Sequence, residues 1–475
     1  MRKIIPLLGA LGLIGCSYFS PDYHKPDTKV PAKWSSQNSN VESISESLPY
    51  LAWWQKFNDP VLNQYIESGL NNNLTIEAAK ANLEAAQGQL TTVKLNWLPT
   101  MNIIGGAIGG NSQNSLTPIG NLGVVGNSGA FFALIPQYTL NVFTNYTLQK
   151  QAGYNVEAAK NAVLSVRLAV IGQVSNAYFV YLAQLQILDQ FKQLNQNLTE
   201  LITITRAMNQ RGMGNDIVLN ELLSKQQLVA GQIELVQKNL IAAQNALRYL
   251  INETPGSAVA GRKFAAINPL QIIPGNLPVS VLAARPDVIA AEWQLKAANE
   301  GISVSSSALL PGVNLNYFYA QGSGTQAFNN PVPGVNINNT NTQNYGAAYA
   351  NWIIAPGVFG AIDTSTAVFK GALANYEKVV NSALHEVDNA LAANNGYNRK
   401  MVSDNNAYQS LESAIDLHQA MAARGLEPYT LVLGARIEQN LLSIIMTETK
   451  LQQMVSLVTL YQSLGGGYQH NNESQ

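Results

Sequence analysis

The sequence predicts a membrane β-barrel combined with long α-helices, built by tandem duplication of one unit of helices and strands. Three observations predict this fold. Short motifs recur in the same order at a nearly constant offset along the chain. Two stretches of about 60 residues favour continuous helices, far longer than those of compact domains. A pair of strand-like patches precedes each long helix, around a loop of Gly, Asn and Ser in the first half and a loop rich in Asn in the second.

The duplication is visible in matching residues. Leu98-Pro99 recurs as Leu310-Pro311, and Arg211-Gly212 recurs as Arg424-Gly425 at almost the same offset. Several matches of this kind, in the same order, indicate a tandem duplication rather than chance similarity.

The segment at positions 1–16 has the pattern of a secretory signal peptide. Two basic residues precede an apolar stretch at 4–14, which is too short to span a membrane. Leu13–Cys16 resembles a lipoprotein cleavage site, so we predict a signal peptide at 1–15 and lipidation of Cys16. The alternative is ordinary cleavage that leaves a free cysteine. Cys16 is the single cysteine, which excludes an intrachain disulfide. We expect no other stretch to be apolar enough to span a membrane as a helix.

The first repeat is predicted at 55–253, after an extended tether at 16–54 that is rich in Pro, Ser and Asn. Asp59 caps a short helix that has Pro60 at its first position. A longer helix is predicted at 74–97.

Two strands are predicted within 99–143 and two within 311–356. At about ten residues each, such strands are long enough to cross a membrane. Pro136 disfavours a regular central strand, because proline donates no hydrogen bond to a ladder. Alternation at 313–319 assigns every second residue to one face. The side chains predicted to face lipid are Val313, Leu315, Tyr317 and Tyr319.

The long helices are predicted at 146–208 and 364–423. Each ends in a break, at 211–216 and 425–428, and a second helix then returns to residue 250 or 464. Helices of this length indicate coiled-coil packing or the wall of a tube. A linker rich in Pro and Gly is predicted at 254–285, the second repeat at 286–468 and a polar tail at 469–475.

The number of strands constrains assembly. Four strands cannot close a membrane barrel, since the smallest barrels have eight, and open strand edges cannot face lipid. Strands from several copies of the chain must therefore combine. Charged residues make up only 12% of the chain, which suits surfaces that face lipid, neighbouring subunits or a neutral pore. The alternative is a large soluble protein with an unusual surface.

No pattern typical of catalysis, cofactor binding or metal binding is found in the sequence. The four histidines are scattered, and His385-Glu386 lacks the second histidine of a zinc-binding helix. Gly256–Gly261 resembles the start of a phosphate loop, but Arg262-Lys263 follows where Lys and Ser or Thr are needed. We therefore predict neither an enzyme nor a cofactor. The net charge of −1 gives no reason to expect nucleic acid as a partner.

Motifs at the centre and at both ends of the chain are similar to those of a known family. The centre carries Arg285-Pro286-Asp287-Val288, the start has Asp59-Pro60 after Trp54, and the end has Leu464–Tyr468. These motifs resemble the TolC-like outer membrane factors, or outer-membrane efflux proteins, in particular their NodT/OprM-type lipoprotein branch. The resemblance covers residues 16–468. Further matching positions are Leu282, Ala291, Glu292, Leu295, Ala298, Asn299, Ile302 and Pro311.

The resemblance implies a homotrimer, in which three copies of four strands make a 12-stranded barrel in the outer membrane. An α-helical barrel with a small mixed equatorial region would continue into the periplasm. The implied function is the exit duct of a tripartite efflux or type I-like secretion system, which passes drugs or other small molecules outward passively. The implied partners are a periplasmic adaptor, an inner-membrane RND- or ABC-type pump and outer-membrane lipid. The alternative function is a periplasmic coiled-coil scaffold lipoprotein, which would not need paired strand insertions in both repeats.

The resemblance also assigns the narrow tip of the pore, and the docking site of the adaptor, to the two helix turns. The turn residues with this role are Gly212, Gly214, Gly425 and Pro428. Leu431 and Gly434 stand where the family often carries two acidic residues, so that acidic ring is missing. The charged residues that could replace it are Asp216, Glu221, Glu427 and Arg436. The alternative is that these are ordinary solvated charges near a turn.

Overall fold

The computed structural model describes residues 23–26, 34, 50–109, 128–268, 279–326, 337–351 and 355–469. The predicted signal peptide, Cys16, most of the predicted tether and the predicted tail beyond Gln469 lie outside these residues.

The first helix, α1 (Pro60–Asn72), begins at the predicted cap. The Asp59 carboxylate accepts hydrogen bonds from the backbone nitrogens of Val61 and Leu62, at 3.0 and 3.4 Å. These bonds satisfy donors that lack a partner in the first turn, and Pro60 has no N–H to satisfy. The predicted cap of α1 is confirmed.

A single asparagine separates α1 from the next helix, α2 (Leu74–Leu95). The side-chain oxygen of Asn73 accepts a hydrogen bond from the backbone nitrogen of Thr75 at 2.9 Å, as an N-cap does. Its amide nitrogen donates to the carbonyl oxygen of Leu250 at 2.7 Å. Asn73 therefore caps α2 and also ties this corner to the end of a distant helix.

The remaining elements follow one order twice. The first series is α2, followed by β1 (Thr100–Gly109), β2 (Ser128–Leu140), α3 (Val142–Gln210) and α4 (Asp216–Leu250). The second series is α5 (Pro286–Ser307), β3 (Gly312–Gln326), β4 (Ile337–Asn351), α6 (Gly357–Ala423) and α7 (Tyr429–Ser463). Helices α2 and α5 have 22 residues each, α4 and α7 have 35 each, and α3 and α6 have 69 and 67. The tandem duplication is confirmed.

The four strands form one antiparallel sheet in the order β1-β2-β3-β4. Strands β2 and β3 come from different repeats, so their pairing joins the two repeats within the sheet. In the described part of the chain, β1 and β4 each have a partner on one side only.

Pro136 lies in a strand at the centre of the sheet, and the strand is irregular at this residue. It pairs with Met101 of β1. On the other side, the ladder to β3 stops after Leu134 and resumes in the same register at Gln137, which faces Asn316. The missing N–H of proline thus interrupts only one ladder over a short distance, and the other ladder holds the strand in place.

The described chain divides into two compact units, each of which contains segments of both repeats. The strand unit combines Glu84–Glu157, Trp293–Ala374 and, of the N-terminal segment, the described residues 23–26. The helical unit combines Asp27–Leu83, Ala158–Glu292 and Asn375–Gln475. The compact units therefore do not coincide with the duplicated repeats.

Aromatic side chains form one end of the core of the helical unit. Trp53 is fully buried and stacks on Tyr461, with ring centroids 5.0 Å apart and planes 5° apart. Its indole nitrogen donates to the carbonyl oxygen of Gly466 at 3.3 Å. Phe57 packs edge-on against Phe179, at 5.0 Å between centroids. Residues 53–57 are thereby packed against α3 and the end of α7.

Helix α3 contradicts the expectation that no stretch beyond the signal peptide is apolar enough to span a membrane as a helix. It contains a stretch that by length and composition could cross a membrane, but 44% of that stretch is buried inside the protein. The same helix supplies Ile171, Val174 and Phe179 to the core, each with no exposed surface. Packing between helices therefore explains much of this apolar character.

Candidate functional site

One face of the sheet is apolar at the end where the strands adjoin the helices. Residues that face each other across an antiparallel ladder project to the same side. The register pairs Ile103 with Leu134, Leu134 with Tyr319, and Leu315 with Tyr138. We call this surface the apolar face. Its residues are Met101, Ile103, Leu134, Tyr138, Leu140, Val313, Leu315, Tyr317 and Tyr319.

Several side chains of the apolar face are exposed although they are large. Ile103 is 62% exposed, and Val313, Leu315 and Tyr317 are 40–44% exposed. Tyr319 is half-buried. A contiguous apolar surface of this kind indicates contact with lipid or with another protein.

The opposite face of the sheet is mostly polar in the same region. Apart from Ile104, Ala133 and Ile135, it carries Thr100, Asn102, Gln137, Thr139 and Asn314. The hydroxyl of Thr139 donates to the side-chain oxygen of Asn314 at 2.8 Å, which links β2 to β3. The sheet thus has one side suited to lipid and one side suited to water.

The two helix turns share one backbone geometry. Gly212 and Gly425 both have a φ of +74°, a conformation that favours glycine. In the first turn, the backbone nitrogen of Met213 donates to the carbonyl of Met208 at 3.0 Å. In the second, Leu426 donates to Met421 at the same distance. Both turns are Schellman motifs, in which the glycine ends the helix and satisfies its last carbonyls.

The first turn is also fixed by side-chain contacts. The amide of Asn209 donates to the Asp216 carboxylate at 2.9 Å and so joins the end of α3 to the start of α4. Asn215 caps α4 by accepting from the nitrogen of Ile217 at 2.8 Å. A Cβ on Gly214 would overlap the side-chain oxygen of Asn209, so this close approach requires glycine.

Glu427, one of the charged residues predicted near the second turn, has a partner that was not expected from the sequence. The Glu427 carboxylate lies 2.7 Å from Nδ1 of His418, which stands in the last turns of α6. Arg436, half-exposed on α7, makes no ion pair with any residue that the structure describes. Glu221 is exposed on α4. The sequence offered one hint of the pair, since His418 lies nine positions before Glu427 across the turn.

Apolar side chains are exposed around both turns. Leu431 is 46% exposed and Leu426 is 67% exposed, whereas Val432 and Leu433 are fully buried. Met213 in the first turn is 63% exposed. No atom lies within 4 Å of the position of a Cβ on Gly434. Pro428 stands as the N-cap of α7 in extended conformation, without a side-chain cap.

The central sequence motif forms a buried ionic clamp in the helical unit. The guanidinium of Arg285 lies 2.7 Å from Asp287 and 2.8 Å from Glu386, and it donates to the carbonyl of Ser463 at 2.8 Å. Burial lowers the pKa of Arg285, but hydrogen bonds and charge attraction from Asp287 and Glu386 outweigh it, so the pKa is raised. Arg285 therefore stays charged and joins the start of α5 to α6 and α7.

A metal site would need several ligands close together. Among residues with described coordinates, no group of three or more His, Cys, Asp or Glu is arranged to hold a metal ion.

A family comparison gives two matches on this chain. The family model described as outer membrane efflux protein matches residues 65–253 and, a second time, residues 277–466. The two matches cover both repeats.

Curated relatives match over the whole chain. The solvent efflux pump outer membrane protein SrpC of Pseudomonas putida is 25% identical over 475 residues, covering 98% of each chain. The probable outer membrane lipoprotein SilC of Salmonella typhimurium is 24% identical, covering 98% of this chain and 99% of its own.

Solved structures share the fold. The outer-membrane channel OprN superposes with a TM-score of 0.78 at 23% identity, covering 95% of this chain and 99% of its own. The open state of the Neisseria gonorrhoeae MtrE outer membrane channel gives 0.77 at 22% identity, covering 94% of this chain and 98% of its own.

Proposed function

The chain belongs to the outer membrane efflux protein family and is an outer-membrane efflux channel, and we propose that it works as a homotrimeric exit duct of a tripartite efflux or type I-like secretion system. The duct performs no chemistry. Small molecules, including drugs, pass through it to the exterior, and the energy for transport comes from a pump in the inner membrane.

The four-stranded sheet carries this proposal. Its outer strands β1 and β4 have unpaired edges in the described chain, and one of its faces is apolar. An open edge in lipid leaves backbone donors and acceptors without partners, which costs several kcal/mol for each group. Three copies, joined edge to edge, would supply 12 strands and close the barrel, with the apolar face towards lipid.

The names of the relatives support the proposed partners. Several bear names of efflux pump outer membrane proteins, with solvent, toluene or antibiotic as the named cargo. Because a passive duct needs a source of energy and a connection to it, the partners are an RND- or ABC-type pump and a periplasmic adaptor. The exposed helix turns around Gly212, Gly214, Gly425 and Pro428 are the docking site for the adaptor.

Lipid at Cys16 would add a second attachment to the membrane. SilC, matched over nearly its full length, is named as a probable lipoprotein. Mass spectrometry of the purified protein should find an acylated Cys16 at the mature N-terminus. An unmodified N-terminus at another residue contradicts this part of the proposal.

Cross-linking between copies tests the trimer. Each variant in a series carries two new cysteines. One replaces Asn102 on β1, and the other replaces a single residue of β4 between positions 340 and 350. Closure predicts that some of these pairs form disulfide-linked trimers, because β1 of one copy lies beside β4 of the next. The control series carries Thr139→Cys, on the central strand β2, in place of Asn102→Cys. It should give no cross-link between copies. The trimer is wrong if no β1–β4 pair cross-links.

The closed tip depends on apolar packing by Leu431 in this proposal, rather than on ion pairs to Arg436. Glu427 already has His418 as its partner, and Arg436 has no ion pair among the described residues. In planar bilayers, Leu431→Ser should raise conductance, and Arg436→Ala should leave it unchanged. A rise with Arg436→Ala, and with high salt in the unmodified protein, would favour the ionic alternative with Asp216, Glu221 or Glu427.

A further inference from the structure

The helical unit contains an open cavity whose lining includes no residue of the sheet or of the helix turns, and not Arg285. Its volume is about 540 Å³, within the range of small-molecule sites. The walls come from α3, α6, α7 and residues 265–268 of the segment between the repeats. The cavity is therefore built where both repeats and their linker meet.

Lys450 is the one charged residue among those described that line the cavity. Its ammonium donates to the carbonyl oxygen of Ala265 at 2.8 Å and lies 5.4 Å from the ring centroid of Phe264. No carboxylate of the described chain forms an ion pair with it. The nearby Asp404 is held by Lys400 at 2.6 Å. Burial lowers the pKa of Lys450 to about 8, as expected for an ammonium without a counter-charge.

Gln453 supplies a second unsatisfied group. Its side chain lines the cavity and the residue is 1% exposed, yet the amide nitrogen has no hydrogen-bond partner in the described structure. By contrast, the neighbouring Gln190 and Thr447 bond to each other at 2.9 Å. Buried polar groups in native proteins are nearly always paired. The amide nitrogen of Gln453 is therefore a donor available to a ligand in the cavity.

The rest of the wall limits the chemistry of the ligand. Met401 and Met446 provide polarisable apolar surface, and Asn405 and Tyr408 provide further hydrogen-bonding groups. We propose that the cavity binds a small organic carboxylate, whose oxygens accept hydrogen bonds from Lys450 and Gln453 while its apolar body contacts Met401 and Met446. Such a ligand supplies the counter-charge that Lys450 lacks and joins residues 265–268 to α6 and α7.

Calorimetry with a matched pair of ligands tests the site. The probe is 4-phenylbutyrate, and 4-phenylbutyramide has the same body without the charge. With the full chain in neutral detergent at pH 7, the carboxylate should bind saturably and the amide about tenfold more weakly. Equal binding of the two, or no saturable binding of the carboxylate, overturns the proposal.

Variants locate the binding. Lys450→Met keeps the length of the side chain and should weaken carboxylate binding about tenfold. Lys238→Met, which removes an exposed charge on α4, should leave binding unchanged. If Lys450→Met binds as tightly as the unmodified protein, the head group does not sit at Lys450.

A measurement on the unmodified protein remains informative if the variant fails to fold. With methyl-labelled methionines, of which the chain has eight, 4-phenylbutyrate should shift the Met401 and Met446 signals and leave Met213 at the distant turn unchanged. Shifts confined to other methionines would contradict the site. None of these readouts depends on channel activity, so the proposal stands or falls separately from the exit duct.

Discussion

Single residues in this chain often serve two elements at once, and Asp59 is the clearest case. Besides capping α1, its carboxylate accepts from the Tyr178 hydroxyl at 2.7 Å and from the backbone nitrogen of Arg262 at 3.1 Å. Burial and the hydrogen bond to Asp59 raise the pKa of Tyr178 well above its ordinary value. The Tyr178 hydroxyl therefore stays protonated and donates to the carboxylate at any physiological pH.

Gly261 completes this junction and cannot accept a side chain. A Cβ there would overlap Oδ1 of Asp59 and lie 2.6 Å from the Tyr178 hydroxyl. Gly261→Ala should therefore lower the free energy of unfolding by about 2–4 kcal/mol, since both buried groups must move and their hydrogen bonds break. Thermal unfolding in detergent measures the change.

The matched control is Gly231→Ala on α4, where nothing lies within 4 Å of the added Cβ. It should stabilise the protein slightly, by about 0.5–1 kcal/mol, because alanine favours helix. Equal melting temperatures for the two variants would show that the junction tolerates the side chain.

Lys450 makes a pH-dependent contribution to stability. Its pKa is about 8 in the folded protein and 10.5 in its ordinary state, so between these values the unfolded chain binds more protons. Stability from this group therefore rises with pH across that interval. Lys450→Met should raise the free energy of unfolding by about 1 kcal/mol at pH 7, after allowance for the partial exposure of the ammonium.

The gain in the free energy of unfolding from Lys450→Met should shrink above pH 8. It should vanish above pH 10.5, where the lysine is neutral in both the folded and the unfolded protein. Denaturant titrations at pH 7 and at high pH measure it. A gain that stays constant with pH would mean that packing, rather than the buried charge, accounts for the difference.

At the scale of elements, the sheet shows how apolar and polar residues that alternate along a strand form two different surfaces. Leu315 on β3 is 40% exposed on the apolar face, and its neighbour Asn314 lies on the polar face, bonded to Thr139. The register of the ladders, which depends on all four strands, brings the apolar residues of β1, β2 and β3 together.

Charge on the two faces should have different effects. Leu315→Lys should reduce the stability of the membrane-inserted protein by roughly 2–4 kcal/mol if the residue lies near the middle of the bilayer. Asn314→Lys, one residue away on the polar face, should be tolerated. Heat-induced loss of the detergent-resistant oligomer in gels compares the two, and equal sensitivity would refute the assignment of the faces.

At the scale of the whole molecule, each compact unit is assembled from both repeats. One hydrophobic cluster of the helical unit contains Leu194, Leu198 and Val236 of the first repeat together with Leu433 and Ile437 of the second. A single repeat would expose this apolar surface to water, so the duplicated halves are not independent folding units.

Splitting the chain tests this dependence. Residues 1–268 expressed alone should aggregate and give no detergent-resistant oligomer. The same segment expressed together with residues 269–475, fitted with its own signal peptide, should assemble, because non-covalent packing joins the halves. A stable, helical 1–268 fragment in isolation would show that the first repeat folds independently.

The sequence by itself determined the duplication, the order of the elements and the breaks in the long helices, because these follow from local periodicity and from residues such as Pro60, Gly212 and Gly425. Pro136 indicated an irregular strand, but it could not show that the strand would still be central. One complete ladder holds the strand while the other has a gap. The sequence also could not reveal the cavity at Lys450. The cavity depends on which side chains distant segments bring together, and spacing along a chain carries no record of such contacts.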